Sequence, residues 1–306
     1  MSSSTPGRVR VRVRVPATSA NLGPGFDAFG LALGLYDEVE AEVAADGVEV
    51  TVEGEGAADL PRDGRHLVAV AARAATEAMN ARLPGLRLRC TNRIPQARGL
   101  GSSAAAIVAG VLAARGLIED GVRLLDDDAT LALAARLDGH PDNVAACLWG
   151  GLTLAWRADG HDHAVRLEPN AGVAPVVFVP PYTSSTAQTR GLLPATVPHA
   201  DAAHTAGRAA LLVHALTTAP ALLMAATDDR LHQPYRAPAM PESAKLVTRL
   251  REAGLPAVIS GAGPSVLVFL PAGEAAGDRI EDWAPPRWTV ARPAIDHAGA
   301  RATQGT

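Results

Sequence analysis

Arg98-Gly-Leu-Gly-Ser-Ser-Ala-Ala-Ala-Ile-Val-Ala-Gly110 is a turn of small residues that runs directly into an Ala-rich stretch of helical character. The opening amides of a helix have no partner within it and lie at the positive end of its dipole, so this construction suits an anion such as a nucleotide triphosphate. Gly99 and Gly101 carry no Cβ to hold a polyphosphate away, and Ser102 and Ser103 add hydroxyls able to cap the helix or ligate a metal. A Gly/Ser turn before a helix is also an ordinary connection, and the stretch alone leaves both readings open. It is not a P-loop, because no Lys follows Gly101, and it lacks the full Gly-x-Gly-x-x-Gly run of a dinucleotide-binding turn.

The surrounding chain has 306 residues, enough for a substantial core and two domains. Hydrophobic residues make up 48% and charged residues 20%, a globular rather than a disordered composition. A formal net charge of −4 gives no general attraction to nucleic acid or to an anionic membrane. Cys90 and Cys147 stand far apart without a Cys or His at ligand spacing, which argues against a disulfide framework or structural zinc. The opening Met-Ser-Ser-Ser-Thr-Pro-Gly has no apolar secretion core, and no run of 18 apolar residues occurs, so a soluble, cytoplasmic protein is expected.

Upstream, residues 8–15 alternate Arg and Val, which predicts a half-buried edge strand with its charges facing solvent. The loop Ala17-Thr-Ser-Ala-Asn-Leu-Gly-Pro-Gly-Phe-Asp27 is richer in Asn, Gly and Asp than a simple turn needs, and reads as a binding loop. Segments 37–44 and 47–53 read as strands of a meander, 65–80 as a helix and Leu86–Thr91 as a strand. A helix over 127–138 ends in Asp138-Gly-His-Pro-Asp-Asn143, whose His140, Asp142 and Asn143 are expected in a turn. Polar residues 160–172 suggest a domain boundary, giving domains 1–168 and 169–306. Beyond it come a strand at Val173–Pro180, helices at 200–226 and 241–254, strands at 257–260 and Val266–Leu270, and a small polar tail from 293 expected to fray.

Four segments stand in order: Pro16-Ala-Thr-Ser-Ala-Asn-Leu-Gly-Pro-Gly-Phe-Asp27, Ile94-Pro-Gln-Ala-Arg-Gly-Leu-Gly-Ser-Ser-Ala-Ala105, Gly139-His-Pro-Asp-Asn143 and Ser260-Gly-Ala-Gly-Pro-Ser265. Together they closely resemble the GHMP small-molecule kinases over residues 10 to about 270. Residues 16–35, with Thr183-Ser-Ser-Thr-Ala-Gln-Thr-Arg190 and His232-Gln-Pro-Tyr-Arg236, are most similar to the homoserine-phosphorylating branch. The resemblance implies an α+β fold with an N-terminal ATP-binding domain like ribosomal protein S5 domain 2 and a ferredoxin-like C-terminal domain. It further implies transfer of the γ-phosphoryl of ATP to the hydroxyl of L-homoserine with Mg²⁺, on the route to threonine, in a homodimer.

By the same resemblance, Pro95, Gln96, Ala97, Arg98, Gly99, Leu100, Gly101, Ser102, Ser103, Ala104 and Ala105 hold ATP. Arg190 and Arg236 clamp the substrate carboxylate, Asn21 and Asp27 take its ammonium, and His140, Asn143 and Thr186 line the same pocket. Asp142 stands beside the accepting hydroxyl, either as general base or as the group that orients it. Relatives carry a magnesium-binding Glu on the helix before Gly-His-Pro-Asp-Asn, where this chain has Ala132. Asp128 and Asp138 are the nearest acids on that helix, so Ser103 with Asp138 is the candidate metal pair, unless phosphate and water hold the ion almost alone. A kinase acting on another hydroxylated metabolite such as threonine, and a non-catalytic metabolite-binding relative, remain as alternatives. The two Arg segments disfavour a neutral acceptor, which would leave a buried cation uncompensated.

Overall fold

The computed structural model describes residues 10–273 and 279–305. The Arg/Val alternation becomes β1 (Arg10–Ala20), with Val11, Val13 and Val15 wholly buried. Its arginines find partners on β2 (Phe29–Ala44): Arg10 pairs with Glu42, Arg12 with Glu38, and the Arg14 guanidinium lies 3.5 Å from the centre of the Tyr36 ring.

β1 is not the edge strand its charges suggest. The polar tail expected to fray forms β11 (Arg301–Gly305), antiparallel to β1 from Arg10↔Gly305 to Arg14↔Arg301. A backbone ladder needs little from side chains, so composition was a poor guide to this pairing. Nor do the next strands form a meander. β3 (Gly47–Gly54) runs parallel to β4 (Gly85–Asn92), reached through α1 (Leu67–Ala78), and β4 separates it from β2 in the order β11-β1-β2-β4-β3. The other end of β2 pairs with β5 (Leu152–Ala158), which turns back into β6 (His161–Leu167). The polar stretch from 160 is therefore still strand as far as Leu167, and the chain leaves this sheet only afterwards.

Helix α2 (Ser102–Leu117) packs on β1 and β2 and against α1, α4 (Asp127–Asp138) and α5 (Pro141–Trp149), with the short α3 (Gly121–Leu124) after it. Ten of its residues are buried, from Ala104 to Leu117, which explains its nearly uniform apolar sequence. A Cβ at Gly110 would strike the Val68 carbonyl, so glycine sets the close approach of α2 to α1. α5 corrects the expected turn: Pro141 takes the first helical position after His140, and Asp142 and Asn143 lie in the first turn of a helix.

The second sheet contains β7 (Val173–Val179), β8 (Ala257–Ile259), β9 (Val266–Pro271) and β10 (Thr289–Ala291), all antiparallel in the order β10-β7-β9-β8. Counted within this half, the order is fourth, first, third, second, which is the ferredoxin-like arrangement. Between β7 and β8 lie α6 (Thr186–Arg190), α7 (His199–Thr217), α8 (Leu223–Ala226), α9 (Gln233–Arg236) and α10 (Pro241–Glu252). Leu246 and Leu250 of α10 bury against Phe178, Val266 and Val268, while Leu267 and Phe269 join Leu212 and Leu216 of α7 in the core shared with the first sheet. Among the described residues no helix is long and apolar enough to cross a membrane.

Candidate active site

Three backbone corners meet at one cleft. The loop after β1 holds Asn21, Leu22 and Asp27 at positive φ, the turn before α2 does the same at Ala97, Gly99 and Gly101, and the β8–β9 turn does so at Gly261 and Gly263. Asn21 braces two of them: its Nδ2 donates to the Gly261 carbonyl at 2.8 Å, and its Oδ1 accepts from the Asp27 amide at 2.9 Å. The Ser260 hydroxyl donates to the Gly99 carbonyl at 2.6 Å and lies 2.8 Å from Ser19 Oγ. The Ser184 amide donates to the Ala97 carbonyl at 3.0 Å, tying the segment after β7 to the same corner.

The start of α2 is open. Gly101 caps it in left-handed backbone with no side-chain cap, and among the described residues the amides of Ser102, Ser103 and Ala104 have no partner. The glycines have a second reason to be glycine, one not visible in the sequence. A Cβ on Gly99 would strike the Ser260 carbonyl, and one on Gly101 would strike Thr18 Oγ1, so both are fixed by protein packing whether or not a phosphate approaches.

The cleft has a volume of about 800 Å³ and is lined by Ala97, Gly99, Gly101, Ser102, Ser103 and Ala104 from the turn, together with Asn21, Asp27, Asp138, His140, Asp142, Asn143, Arg190 and Arg236. Most of the residues picked from the sequence are therefore brought together. Pro95, Gln96, Arg98, Leu100 and Ala105 are not in its wall. Leu100 and Ala105 are buried in the core, and Arg98 spends its guanidinium on the carbonyls of Pro180, Gln96 and Pro181 at 2.9, 3.1 and 3.4 Å. The Thr186 side chain lies outside the described residues. Thr183, Ser184, Ser185, Gln188 and Ala262 also line the cleft; the run of hydroxyls before Arg190 was the available signal for the first three.

Asp142 is 3% exposed and accepts through Oδ1 from the Asn143 amide at 2.7 Å and Nδ2 at 3.3 Å. Thr18 Oγ1 donates to Asn143 Oδ1 at 2.8 Å and fixes that amide in turn. Burial pushes the Asp142 carboxyl up to about 7, against the opposing pull of the Asn143 amide, with Asp27 and Asp138 adding to the rise. Asp138 is also raised by burial, offset by a hydrogen bond from Ser103.

The two arginines differ. Arg190 is held by Asp27 through Nη1–Oδ2 at 2.9 Å and Nη2–Oδ1 at 2.6 Å, each side chain being about a third exposed. Arg236 is 2% exposed, and among the described residues its Nε and Nη1 have no hydrogen-bond partner. Burial, then the neighbouring Arg190, work against its charge.

For a metal, Ser103 and Asp138 both stand on the cleft wall, whereas Asp128 is exposed at the far end of α4 and Ala132 is not in the wall. Among the described residues no three His, Cys, Asp or Glu gather to hold an ion. The donor set suits Mg²⁺, which keeps water and phosphate ligands and needs one or two protein oxygens.

Residues 66–151 match the family model "GHMP kinases N terminal domain" and residues 208–284 match "GHMP kinases C terminal". A homoserine kinase of Streptomyces avermitilis is 57% identical over 290 residues, covering 95% of this chain and 94% of its own length. One from Clavibacter michiganensis is 51% identical over 300 residues, covering 95% and 93%. Among solved structures, a homoserine kinase from Cytophaga hutchinsonii superposes with a TM-score of 0.83 at 26% identity, over 99% of each chain. A mevalonate diphosphate decarboxylase from Staphylococcus aureus, with a TM-score of 0.68 at 16% identity over 97% of this chain and 98% of its own, shares the fold alone. With both halves matched, the two sheets in place and relatives of this identity along nearly its whole length, the chain belongs to the GHMP kinase family.

Proposed function

We propose that the chain moves the γ-phosphoryl group of ATP to the side-chain hydroxyl of L-homoserine, forming O-phospho-L-homoserine and ADP, a step on the route to threonine in the cytoplasm. One observation carries the choice of acceptor: Arg236 is buried in the cleft with two donor atoms unpartnered. An uncompensated buried cation is costly, and a ligand carboxylate relieves it. A sugar or a neutral isoprenoid would not. The high identity to proteins named homoserine kinase supports the same reading.

In this reading the ATP phosphates lie on the free amides of Ser102, Ser103 and Ala104, with the helix dipole behind them. Mg²⁺, held by Ser103 and Asp138 with phosphate and water, would neutralise charge on the transferring group. The amino acid sets its carboxylate on Arg236 and Arg190 and its ammonium on Asp27. Asp142 has Oδ1 engaged by Asn143, which leaves Oδ2 for the acceptor hydroxyl. The new bond joins that oxygen to phosphorus as the bridge to the β-phosphate breaks and ADP leaves. A loose transition state needs little early proton removal, so orientation of the hydroxyl is the main task of Asp142, which takes the proton late. By resemblance, the active form is a homodimer.

An ADP-release assay with homoserine, threonine, serine and mevalonate tests the proposal. Turnover with homoserine well above the others is expected. A preference for another acceptor reassigns the substrate, and no turnover with any of them excludes a kinase of this class.

A further inference from the structure

Phe26 does not line the cleft, yet both clamp arginines lie against it. The Arg236 Cζ is 4.9 Å from its ring centre and the Arg190 Cζ is 5.3 Å away, both within the reach of a cation–π contact. The ring itself is stacked on His232, with centroids 4.9 Å apart and planes 23° from parallel. His232 is fully buried, and its Nε2 lies 2.7 Å from the Gly23 carbonyl of the same loop. Asp229 fixes the backbone of the same turn by accepting from the amides of Leu231, His232 and Gln233 at 2.8, 3.2 and 2.8 Å, and its Oδ2 lies 3.4 Å from His232 Nε2. The ring therefore rests on a fixed imidazole at the start of α9, the helix that ends in Arg236.

Two guanidiniums in one pocket repel, and among the described residues the only carboxylate bonded to either is Asp27, committed to Arg190. Arg236 has no such partner. We propose that Phe26 is a positioning residue for the acceptor site: its π face holds the Arg236 guanidinium charged and aimed while the cleft is empty. Without that hold the side chain would leave for solvent, and a ligand carboxylate would have to bring it back, which weakens apparent affinity without altering the chemical step. This rests on the carboxylate-binding role given to Arg236 above.

The role is tested with phenylalanine analogues bearing one, two and three ring fluorines at position 26, which keep the shape of the ring and weaken its quadrupole stepwise. A stepwise rise in KM for homoserine is expected, reaching about 10-fold for the trifluoro ring, with kcat and KM for ATP within about 2-fold of wild type. Phe26→Leu should exceed the trifluoro ring, and Phe26→Tyr should restore the wild-type KM to within about 3-fold. A flat fluorine series would overturn the proposal, leaving Phe26 as packing only, as would equal changes in both KM values. Wild-type turnover keeps the two readings apart: were the acceptor a different carboxylate-bearing alcohol, homoserine would fail with wild type, while that acceptor's KM would still follow the fluorine count.

Discussion

Asp27 and Arg190 close on each other through both carboxylate oxygens and both terminal nitrogens, at 2.6 and 2.9 Å, in the wall of the cleft. The sequence resemblance gives the two separate tasks, Asp27 for an ammonium and Arg190 for a carboxylate. Each serves as the other's counter-charge. A zwitterionic amino acid can replace both halves of the pair at once, whereas a ligand with a single charge would strand one partner.

Because the pair is about one-third exposed, it contributes little to folding. Asp27→Asn is expected to change unfolding stability by less than about 1 kcal/mol while raising KM for homoserine about 10-fold or more. KM for ATP should stay within about 2-fold. Denaturant melts alongside initial rates make the check, and a large stability loss with unchanged KM would assign the pair to the fold.

Arg236 calls for the opposite sign. Removing a buried cation to which no carboxylate among the described residues is bonded should stabilise the ligand-free protein, so Arg236→Met is expected to unfold about 1 kcal/mol or more above wild type in the absence of ligand. Thermal unfolding measures this directly. A lower midpoint would mean that the guanidinium already has a partner.

Asp142 ties activity and stability to pH. Its carboxyl, at about 7 in the fold, must be ionised to accept the hydroxyl, so kcat/KM should fall as pH drops through that value, and Asp142→Asn should lose the limb along with most of kcat. Stability runs the other way. The folded state holds the proton more tightly than the unfolded chain, so this contribution is whole below the ordinary carboxylate range and is lost as pH rises through about 7. Asp142→Asn, which does not titrate, should therefore gain on wild type as pH rises from about 4 to about 7, by on the order of 4 kcal/mol at most, and stay level above that. A constant difference across that range would remove Asp142 as the titrating group.

Strand β11 shields the outer edge of β1. Ending the chain after Ala300 leaves a ladder from Arg10 to Arg14 unpaired, and the expected result is a lower unfolding midpoint with concentration-dependent association seen by light scattering. Association behaviour equal to that of wild type would show that the arginines alone protect this edge.

What could be read from the chain follows the range of the interactions. Helix α4 lies where its periodicity put it, at Asp127–Asp138, because capping by Asp126 and the stop at Gly139 are local. The insertion of β4 between β2 and β3 and the capture of residues 301–305 by β1 depend on pairings across the whole chain, which alternation cannot assign. In the site, Gly99 and Gly101 at the α2 turn were legible because few other residues permit left-handed backbone. Phe26 and His232 were not: an aromatic ring in a loop carries no mark of the cations it will face, and a histidine four residues before Arg236 carries no mark of the ring it will stack on. The packing demand on Gly99 and Gly101 was hidden for the same reason, since Ser260 and Thr18 reach them from distant segments. Gly101→Val is accordingly no clean probe of nucleotide binding.

The central claim is that the acceptor's carboxylate meets Arg236 in the same cleft whose α2 amides hold the nucleotide. Calorimetric titration of L-homoserine into wild type and Arg236→Met, each saturated with a non-hydrolysable ATP analogue, measures it most directly. Homoserine affinity should fall about 100-fold or more in the variant, with affinity for the analogue changed less than about 2-fold. Equal homoserine affinity in the two proteins would contradict the claim.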